Sequence, residues 1–191
     1  MPRNIEIKAR LDDGIEALLP RARAVAGGAE PDTIDQDDSF YAVPHGRLKL
    51  RRFADGTAEL IHYTRGDRAD AKASEYVRVA VPDAAALHEA LQRANGLVGR
   101  VRKRRWLLLA GSTRIHLDRV EGLGDFMELE VVLRDGQSDE DGRATVEALM
   151  RELGLGHAPR IAGAYMDLLR DSQKPQGDAA SSSGISSARK S

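Results

Sequence analysis

The chain has 191 residues, of which 41% are hydrophobic and 31% charged, a composition that predicts one globular domain with an apolar core. The absence of cysteine excludes disulfides, thiol catalysis and cysteine-ligated metals, and leaves oxygen and imidazole as metal ligands. With 29 Lys and Arg against 30 Asp and Glu, the net charge of -1 does not indicate a polyanionic partner. No apolar run approaches the about 20 residues of a membrane helix, and the first residues resemble a strand rather than a signal peptide. We therefore expect a cytoplasmic protein with no membrane partner.

Period-two alternation predicts eight strands, and helical periodicity predicts four helices. The strands are 4–11, 32–42, 46–53, 57–65, 72–81, 97–110, 113–120 and 125–134. The helices are 13–26, 83–94, 139–153 and 160–169. Pro20 predicts a kink or a break in the first helix. Short turns such as Asp55-Gly56 separate consecutive strands, which favours an antiparallel meander.

The last 20 residues have a different composition. Residues 172–191 are rich in serine and contain one large aliphatic residue, Ile185. Such a segment buries too little apolar surface to offset the entropy of ordering. We therefore predict a domain over residues 1–171 and a disordered tail over 172–191.

The polar faces of the strands are unusually rich in charge. In the first strand Glu6 and Lys8 alternate with Ile5 and Ile7. A solvated sheet face would explain one such strand. However, the helices need apolar strand faces to cover, so the charged faces of several strands should point inward. The pattern predicts an α+β fold in which an eight-stranded antiparallel barrel or tunnel has flanking helices.

The predicted interior contains nine cations and four carboxylates. The cations are Lys8, Arg10, Arg47, Lys49, Arg51, Arg65, Lys103, Arg105 and Arg114, and the carboxylates are Glu6, Asp118, Glu128 and Glu130. Burial of an unpaired charge costs several kcal/mol, so this excess predicts a polyanionic ligand. Carboxylates among cations also suit a divalent ion that is shared with phosphates. His116 lies on the same face, where a structural role is favoured over a role in a site.

Four segments in chain order, 4–10, 48–51, 101–105 and 117–130, resemble the CYTH superfamily of triphosphate tunnel enzymes, and most of all its class IV adenylyl cyclase-like branch. The resemblance extends over about residues 3–170. It implies an eight-stranded antiparallel tunnel and a divalent-metal-dependent enzyme, using Mg²⁺ or Mn²⁺, that acts on a small-molecule triphosphate.

The resemblance also assigns roles to residues. It implies metal ligation by Glu6, Asp118, Glu128 and Glu130, and phosphate binding by Lys8, Lys49, Arg51, Arg65, Lys103 and Arg105. The alternation adds Arg10 and Arg114 to the phosphate-binding set. Lys8 is expected to be catalytic, contacting phosphate and helping to activate the attacking group. The opening Glu-x-Glu-x-Lys of the family is Asn4-x-Glu6-x-Lys8 in this chain, so an amide replaces the first acid.

Three functions remain open at this stage. The resemblance favours cyclisation of ATP to cyclic AMP and pyrophosphate. A triphosphatase acting on inorganic tripolyphosphate, thiamine triphosphate or a nucleoside triphosphate is the alternative, and a non-catalytic module that binds polyphosphate or nucleotides is the third. A nucleic-acid partner is not favoured, because aromatic residues make up only 4% of the chain. A homodimer is left open.

Overall fold

A computed structural model describes residues 3–65 and 72–173, and within them it contains all eight predicted strands and all four predicted helices. The strands are β1 (Arg3–Arg10), β2 (Asp32–Tyr41), β3 (Arg47–Phe53), β4 (Ala58–Arg65), β5 (Lys72–Ala80), β6 (Leu97–Ala110), β7 (Thr113–Val120) and β8 (Gly124–Val132). The helices are α1 (Gly14–Val25), α2 (Ala84–Asn95), α3 (Asp139–Glu152) and α4 (Tyr165–Ser172). The predicted tail beyond residue 173 lies outside the described residues, so it stays a prediction.

The strands form a closed antiparallel barrel, as the sequence predicted. Their order around the ring is β1-β5-β4-β3-β2-β6-β7-β8, with β8 pairing back onto β1. The predicted hairpins are present from β2 to β5 and from β6 to β8. The prediction of a simple meander was nevertheless wrong for two strands. The first strand pairs with β5 and β8 rather than with β2, and β2 pairs with β6.

The apolar strand faces point outward under helices, which confirms the inside-out pattern. Ile5 and Ile7 of β1 are buried in a core with side chains from α1 and α3, such as Ile15 and Val146. On another part of the wall, α2 packs Leu87 and its neighbours against β2 and β3. The charged faces of the same strands consequently line the interior.

Local signals set the helix boundaries as expected. Asp83 caps α2 by accepting a hydrogen bond from the Ala86 amide, and Ser138 with Asp141 forms the capping box of α3. The predicted break at Pro20 is absent, since α1 is a single helix. Pro20 and Glu16 are both exposed, so solvent can hydrate the Glu16 carbonyl, which lacks its helical donor because proline has no amide hydrogen. None of the helices in the two described ranges is long and apolar enough to cross a membrane.

The sequence predicted that the last helix covers an outer strand face, and this prediction was wrong. Tyr165 and Met166 of α4 pack instead against Phe40, Val101 and Phe126 on inner strand faces, at one end of the barrel. Gly99 of β6 makes this possible, because a Cβ at that position would overlap the Met166 side chain. α4 therefore closes one end of the barrel.

Candidate functional site

The barrel encloses a cavity of about 380 Å³, called the lumen below. Its described lining includes seven cations and five carboxylates. The cations are Lys8, Lys49, Arg51, Arg78, Lys103, Arg105 and Arg114, and the carboxylates are Glu6, Asp38, Glu59, Glu128 and Glu130. The strand order separates these groups into walls around the ring. We call Lys49, Arg51, Lys103 and Arg105 the basic wall, and Glu6, Glu128 and Glu130 the acidic wall.

The first half of the basic wall is organised by Asp38 of β2. Its carboxylate accepts a hydrogen bond from Lys49 Nζ at 2.7 Å and two from Arg51, through Nε and Nη2, each at 2.7 Å. Asp38 and Arg51 are directly opposite each other in the β2–β3 register, and Asp38 is 3% exposed. One buried carboxylate thus fixes both cations.

The second half of the basic wall repeats this arrangement around Asp118 of β7. Lys103 Nζ donates to Asp118 at 2.6 Å, and Arg105 donates through Nε and Nη2 at 2.7 Å each. Asp118 is fully buried and is directly opposite Arg105 in the β6–β7 register. Its oxygens therefore bind cations of the chain itself, and its role as a metal ligand stays a prediction.

The interior is closer to charge balance than the sequence suggested. The expected excess of nine cations over four carboxylates omitted Asp38 and Glu59, which both line the lumen. The signal for Asp38 was present, since alternation in β2 places Gln36, Asp38 and Phe40 on one face. It was missed because the polar face of this strand was not assigned to the interior.

Burial and neighbouring charges shift the titration of the basic wall. Burial, reinforced by Arg51, lowers the pKa of Lys49 to about 8. Burial and the neighbouring Arg105 lower the pKa of Lys103 to about 7. Although burial alone would raise it, Lys49 and Arg51 hold the pKa of Asp38 well below its usual range. At neutral pH the aspartates are ionised, and Lys103 is near its midpoint.

The acidic wall lies on β1 and β8. Glu6 and Glu130 are directly opposite each other in the β1–β8 register, as are Lys8 and Glu128. Glu130 Oε1 accepts hydrogen bonds from Asn4 Nδ2 at 2.6 Å and from Arg114 Nη1 at 2.9 Å. Burial would raise the pKa of Glu128, but Lys8 and Arg105, 3.9 and 4.0 Å away, lower it to about 2.

The acidic wall fits a divalent ion that takes further ligands from a phosphate chain. Asn4 is buried, and its Oδ1 is a hard oxygen that has no hydrogen-bond partner in the described ranges. Within those ranges, however, no three His, Asp or Glu side chains are arranged to hold an ion. Mg²⁺ is commonly held by one or two carboxylates together with substrate phosphates. The few oxygen atoms near Asn4 and Glu130 therefore fit an ion that is completed by substrate phosphates better than an ion held entirely by protein ligands.

His116 of β7 also lines the lumen and is 4% exposed. Its Nε2 lies 3.7 Å from Glu130 Oε2, and its Nδ1 has no hydrogen-bond partner among the residues that the structure describes. Burial, helped by Arg105, lowers the pKa of His116 well below its usual value. The ring is therefore neutral at pH 7.

Tyr165 of α4 is a lumen residue that the sequence did not identify, because it resembled one position in the apolar stripe of a helix. Its hydroxyl donates to Asp118 at 3.0 Å. Lys8 Nζ lies 4.0 Å from the centre of the Tyr165 ring and donates to the Gly163 carbonyl at 3.2 Å. The segment that closes the barrel thus contacts Lys8 and the aspartate that binds Lys103 and Arg105.

Comparison with known proteins identifies the family. The model of the CYTH domain family matches residues 2–165. The chain belongs to the CYTH domain family. Adenylate cyclase CyaB of Aeromonas hydrophila is 26% identical over 176 residues, which are 88% of this chain and 89% of that protein.

Solved structures share the fold of this CYTH protein. The PH1012 protein of Pyrococcus horikoshii OT3 is 24% identical and has a TM-score of 0.76, over 87% of this chain and 99% of that one. The HpAC1 protein of Hippeastrum, whose structure is described as revealing a dominant triphosphatase activity, is 14% identical. Its TM-score is 0.66, over 90% of this chain and 96% of that one.

The CYTH barrel brings most of the predicted site residues together. Those that line the lumen are Glu6, Lys8, Lys49, Arg51, Lys103, Arg105, Arg114, Glu128 and Glu130. Arg10 does not, because it is exposed at the end of β1, donates to the Leu123 carbonyl at 2.9 Å and lies over the Phe126 ring. The Arg65 side chain lies outside the described residues. Arg47 donates to Asp167 of α4 at 2.6 Å.

The arginines on the outer face of β6 have carboxylate partners. Arg104 donates two hydrogen bonds to Asp35, at 2.8 and 2.9 Å, and Arg100 pairs with Asp37. Arg102 lies 3.4 Å from Glu121. This alternating charge does not form the uniformly basic surface expected for binding nucleic acid.

Proposed function

We propose that this chain is a divalent-metal-dependent enzyme that binds a nucleoside triphosphate in the lumen and cyclises ATP to cyclic AMP and pyrophosphate. The observation that carries the proposal is a group of apolar and aromatic side chains that lines the lumen in addition to the basic and acidic walls. Ile61, Tyr63 and Tyr76 line the β4–β5 side, and the two tyrosines are directly opposite each other in the register. We call these three residues the aromatic wall.

The aromatic wall suits an organic group beside the phosphates. In the ring of eight strands, β5 and β4 lie four places from β6 and β7, so this wall faces Lys103 and Arg105 across the lumen. Aromatic rings stack on nucleobases with about 1–3 kcal/mol per base. A bare tripolyphosphate would gain little from this wall, whereas a nucleoside triphosphate would contact both.

The basic wall supplies the electrostatic part of the proposed reaction. In cyclisation the ribose 3′-oxygen attacks the α-phosphorus, and the bond to the departing pyrophosphate breaks. Arg51 and Arg105 are placed to donate charge-assisted hydrogen bonds to phosphoryl oxygens as negative charge moves onto the leaving group. Lys8, within 4 Å of Glu128, is proposed to contact phosphate and to help orient the attacking oxygen.

A divalent ion, held by Glu6 and Glu130 with the nearby Asn4 oxygen, would supply further neutralisation of phosphate charge. The substrate phosphates would complete its ligands, in keeping with the small number of protein donors at the acidic wall. The acidic wall would hold the ion on one side of the phosphate chain, and the basic wall would contact the chain from the other side.

Product analysis tests the proposal. The purified chain is incubated with ATP, tripolyphosphate or thiamine triphosphate, with Mg²⁺ or Mn²⁺, and the products are separated by chromatography. We expect cyclic AMP and pyrophosphate from ATP. Orthophosphate without cyclic AMP would support the triphosphatase instead, and tight binding without turnover would support a non-catalytic module.

A matched pair of variants links the activity to the lumen. Arg105→Ala removes a guanidinium from the basic wall, whereas Arg104→Ala removes one from the outer face of the same strand. Each charge-assisted bond contributes about 1.5–3 kcal/mol, so Arg105→Ala should weaken ATP binding by roughly ten- to a hundredfold. Arg104→Ala should change it less than about twofold. Equal losses measured by calorimetry would place the substrate outside the lumen.

Triphosphate hydrolysis is the second candidate function. It is favoured because cations line the cavity on several sides. Lys8 and Arg114 lie outside the basic wall but still line the lumen, so all three phosphoryl groups could be contacted at once. Such a site serves attack by water on a terminal phosphorus as well as attack by a ribose oxygen. The triphosphatase activity described for the Hippeastrum protein supports this alternative.

A further inference from the structure

We propose that the basic wall consists of two matching clamps, each a Lys-x-Arg pair oriented by one buried aspartate, and that Asp38 is the positioning residue of the first. The inference rests on the proposed function, since it requires a triphosphate as the ligand. It goes further by giving a specific role to a residue that touches the cations and not the reacting atoms.

The two clamps correspond in sequence and in geometry. Lys49-x-Arg51 on β3 and Lys103-x-Arg105 on β6 have the same spacing. In each clamp the aspartate is directly opposite the arginine in the strand register and accepts one bond from the lysine and two from the arginine, at 2.6–2.7 Å. Only β2 separates β3 from β6, so the clamps are about 10 Å apart. Their side chains extend from this separation into the same lumen, where both clamps face a single phosphate chain.

The clamps differ in what else they contact. Asp118 is fully buried and also accepts the Tyr165 hydroxyl, so it links its clamp to α4. Asp38 lines the lumen, and its hydrogen bonds in the described structure go to Lys49 and Arg51. A change at Asp38 therefore tests positioning without disturbing the helix that closes the barrel.

A positioning role has a distinctive consequence. Asp38 cancels one of the two positive charges of its clamp, so below neutral pH, where Lys49 stays protonated without it, its loss raises the attraction for an anion before reaction. Without Asp38, the Lys49 ammonium and the Arg51 guanidinium lose the acceptor that they share and repel each other. The donor geometry that the transition state needs is then no longer fixed. We expect tighter ground-state binding together with slower turnover.

The test compares Asp38→Asn with Asp37→Asn, its neighbour on the outer face, which pairs with Arg100. Inorganic tripolyphosphate binding is measured by calorimetry, and turnover is measured with ATP and Mg²⁺. We expect Asp38→Asn to bind tripolyphosphate three- to tenfold more tightly and to lose at least tenfold in kcat. Asp37→Asn should change each quantity less than twofold.

Asp38→Glu provides a second route in case Asp38→Asn does not fold. It keeps the charge but displaces the acceptor by one methylene, so kcat should fall while tripolyphosphate affinity stays within twofold. Affinity and kcat that fall together in a folded Asp38 variant would indicate a merely structural residue and overturn the inference. If the unmodified chain binds neither tripolyphosphate nor ATP, the proposed function fails as well, whereas binding with the wrong response at Asp38 overturns the clamp alone.

Discussion

At the scale of single residues, the lumen tolerates buried charge because many of its described charges have a partner on the next strand. Asp38 and Asp118 each accept three hydrogen bonds from two cations, and Glu130 accepts from Asn4 and Arg114. Removing one member of such a buried pair commonly costs about 3–5 kcal/mol, because the remaining charge is left uncompensated. The paired charges therefore stabilise the fold and also orient the groups proposed to bind the ligand.

Asn4 gives a prediction at this scale. Its Nδ2 donates to Glu130 at 2.6 Å, so Asn4→Asp would replace an attraction by two carboxylates in contact. We expect a loss of about 3 kcal/mol in the free energy of unfolding at pH 7 without metal. Millimolar Mn²⁺ should restore most of it, because the ion would bind both carboxylates. Thermal denaturation with and without Mn²⁺ measures the effect.

Asn95→Asp is the matched control, since it changes a half-buried amide at the end of α2 that donates to the Ala42 carbonyl and does not line the lumen. Its melting temperature should not respond to Mn²⁺ differently from that of the unmodified chain. An Asn4→Asp protein whose melting temperature ignores Mn²⁺ would mean that position 4 does not face the metal.

At the scale of elements, α4 connects the closure of the barrel to the site. Met166 occupies space that Gly99 of β6 leaves free, and Tyr165 extends from the same helix to Asp118. The ring of Tyr165 also packs edge-on against Phe126, with 5.1 Å between the ring centres. A shift of α4 would therefore displace contacts of both Lys8 and the Asp118 clamp.

A double-mutant cycle tests this fit. Gly99→Ala should destabilise the chain by about 1 kcal/mol, because the new methyl group displaces the flexible end of the Met166 side chain. Met166→Ala alone should cost about 2–5 kcal/mol through the cavity that it leaves. The double variant should be more stable than the sum of the two losses by at least about 1 kcal/mol, since each change relieves the other. Urea unfolding measures all three, and additive losses would show that the two residues do not meet.

At the scale of the whole molecule, pH should act in opposite directions on stability and on anion binding. Burial lowers the pKa of Lys103 from 10.5 to about 7 in the folded chain, so the unfolded chain holds more protons between these values. Stability from this group therefore rises as pH increases from about 7 to 10.5. The pKa of Glu128, lowered from 4.5 to about 2, gives stability that is complete above 4.5 and is lost as pH falls towards 2.

Anion binding should follow the opposite trend above neutrality. Lys103 loses its charge as pH rises past 7, so tripolyphosphate affinity should fall by up to about tenfold per pH unit from this group. Lys103→Arg keeps the charge, and its affinity should fall less steeply between pH 7 and 9. Calorimetry at several pH values compares the two proteins, and parallel curves would show that Lys103 does not titrate in this range.

The chain alone determined much of this protein, because alternation and capping are local properties. Ile5 and Ile7 against Glu6 and Lys8 predicted which face of β1 points outward, and Ser138 with Asp141 predicted the start of α3. The same alternation predicted a charged interior, and nine of the predicted site residues line it.

Only the tertiary structure decided which charges meet. The pairing of β1 with β8 and of β2 with β6 joins segments far apart in the chain, and local periodicity does not encode it. Asp38 became part of the site because the β2–β3 register places it opposite Arg51, and the β6–β7 register places Asp118 opposite Arg105. The apolar stripe of α4 could have packed on any apolar surface. The open end of the barrel and the absence of a side chain at Gly99 allow α4 to pack its apolar stripe at that end.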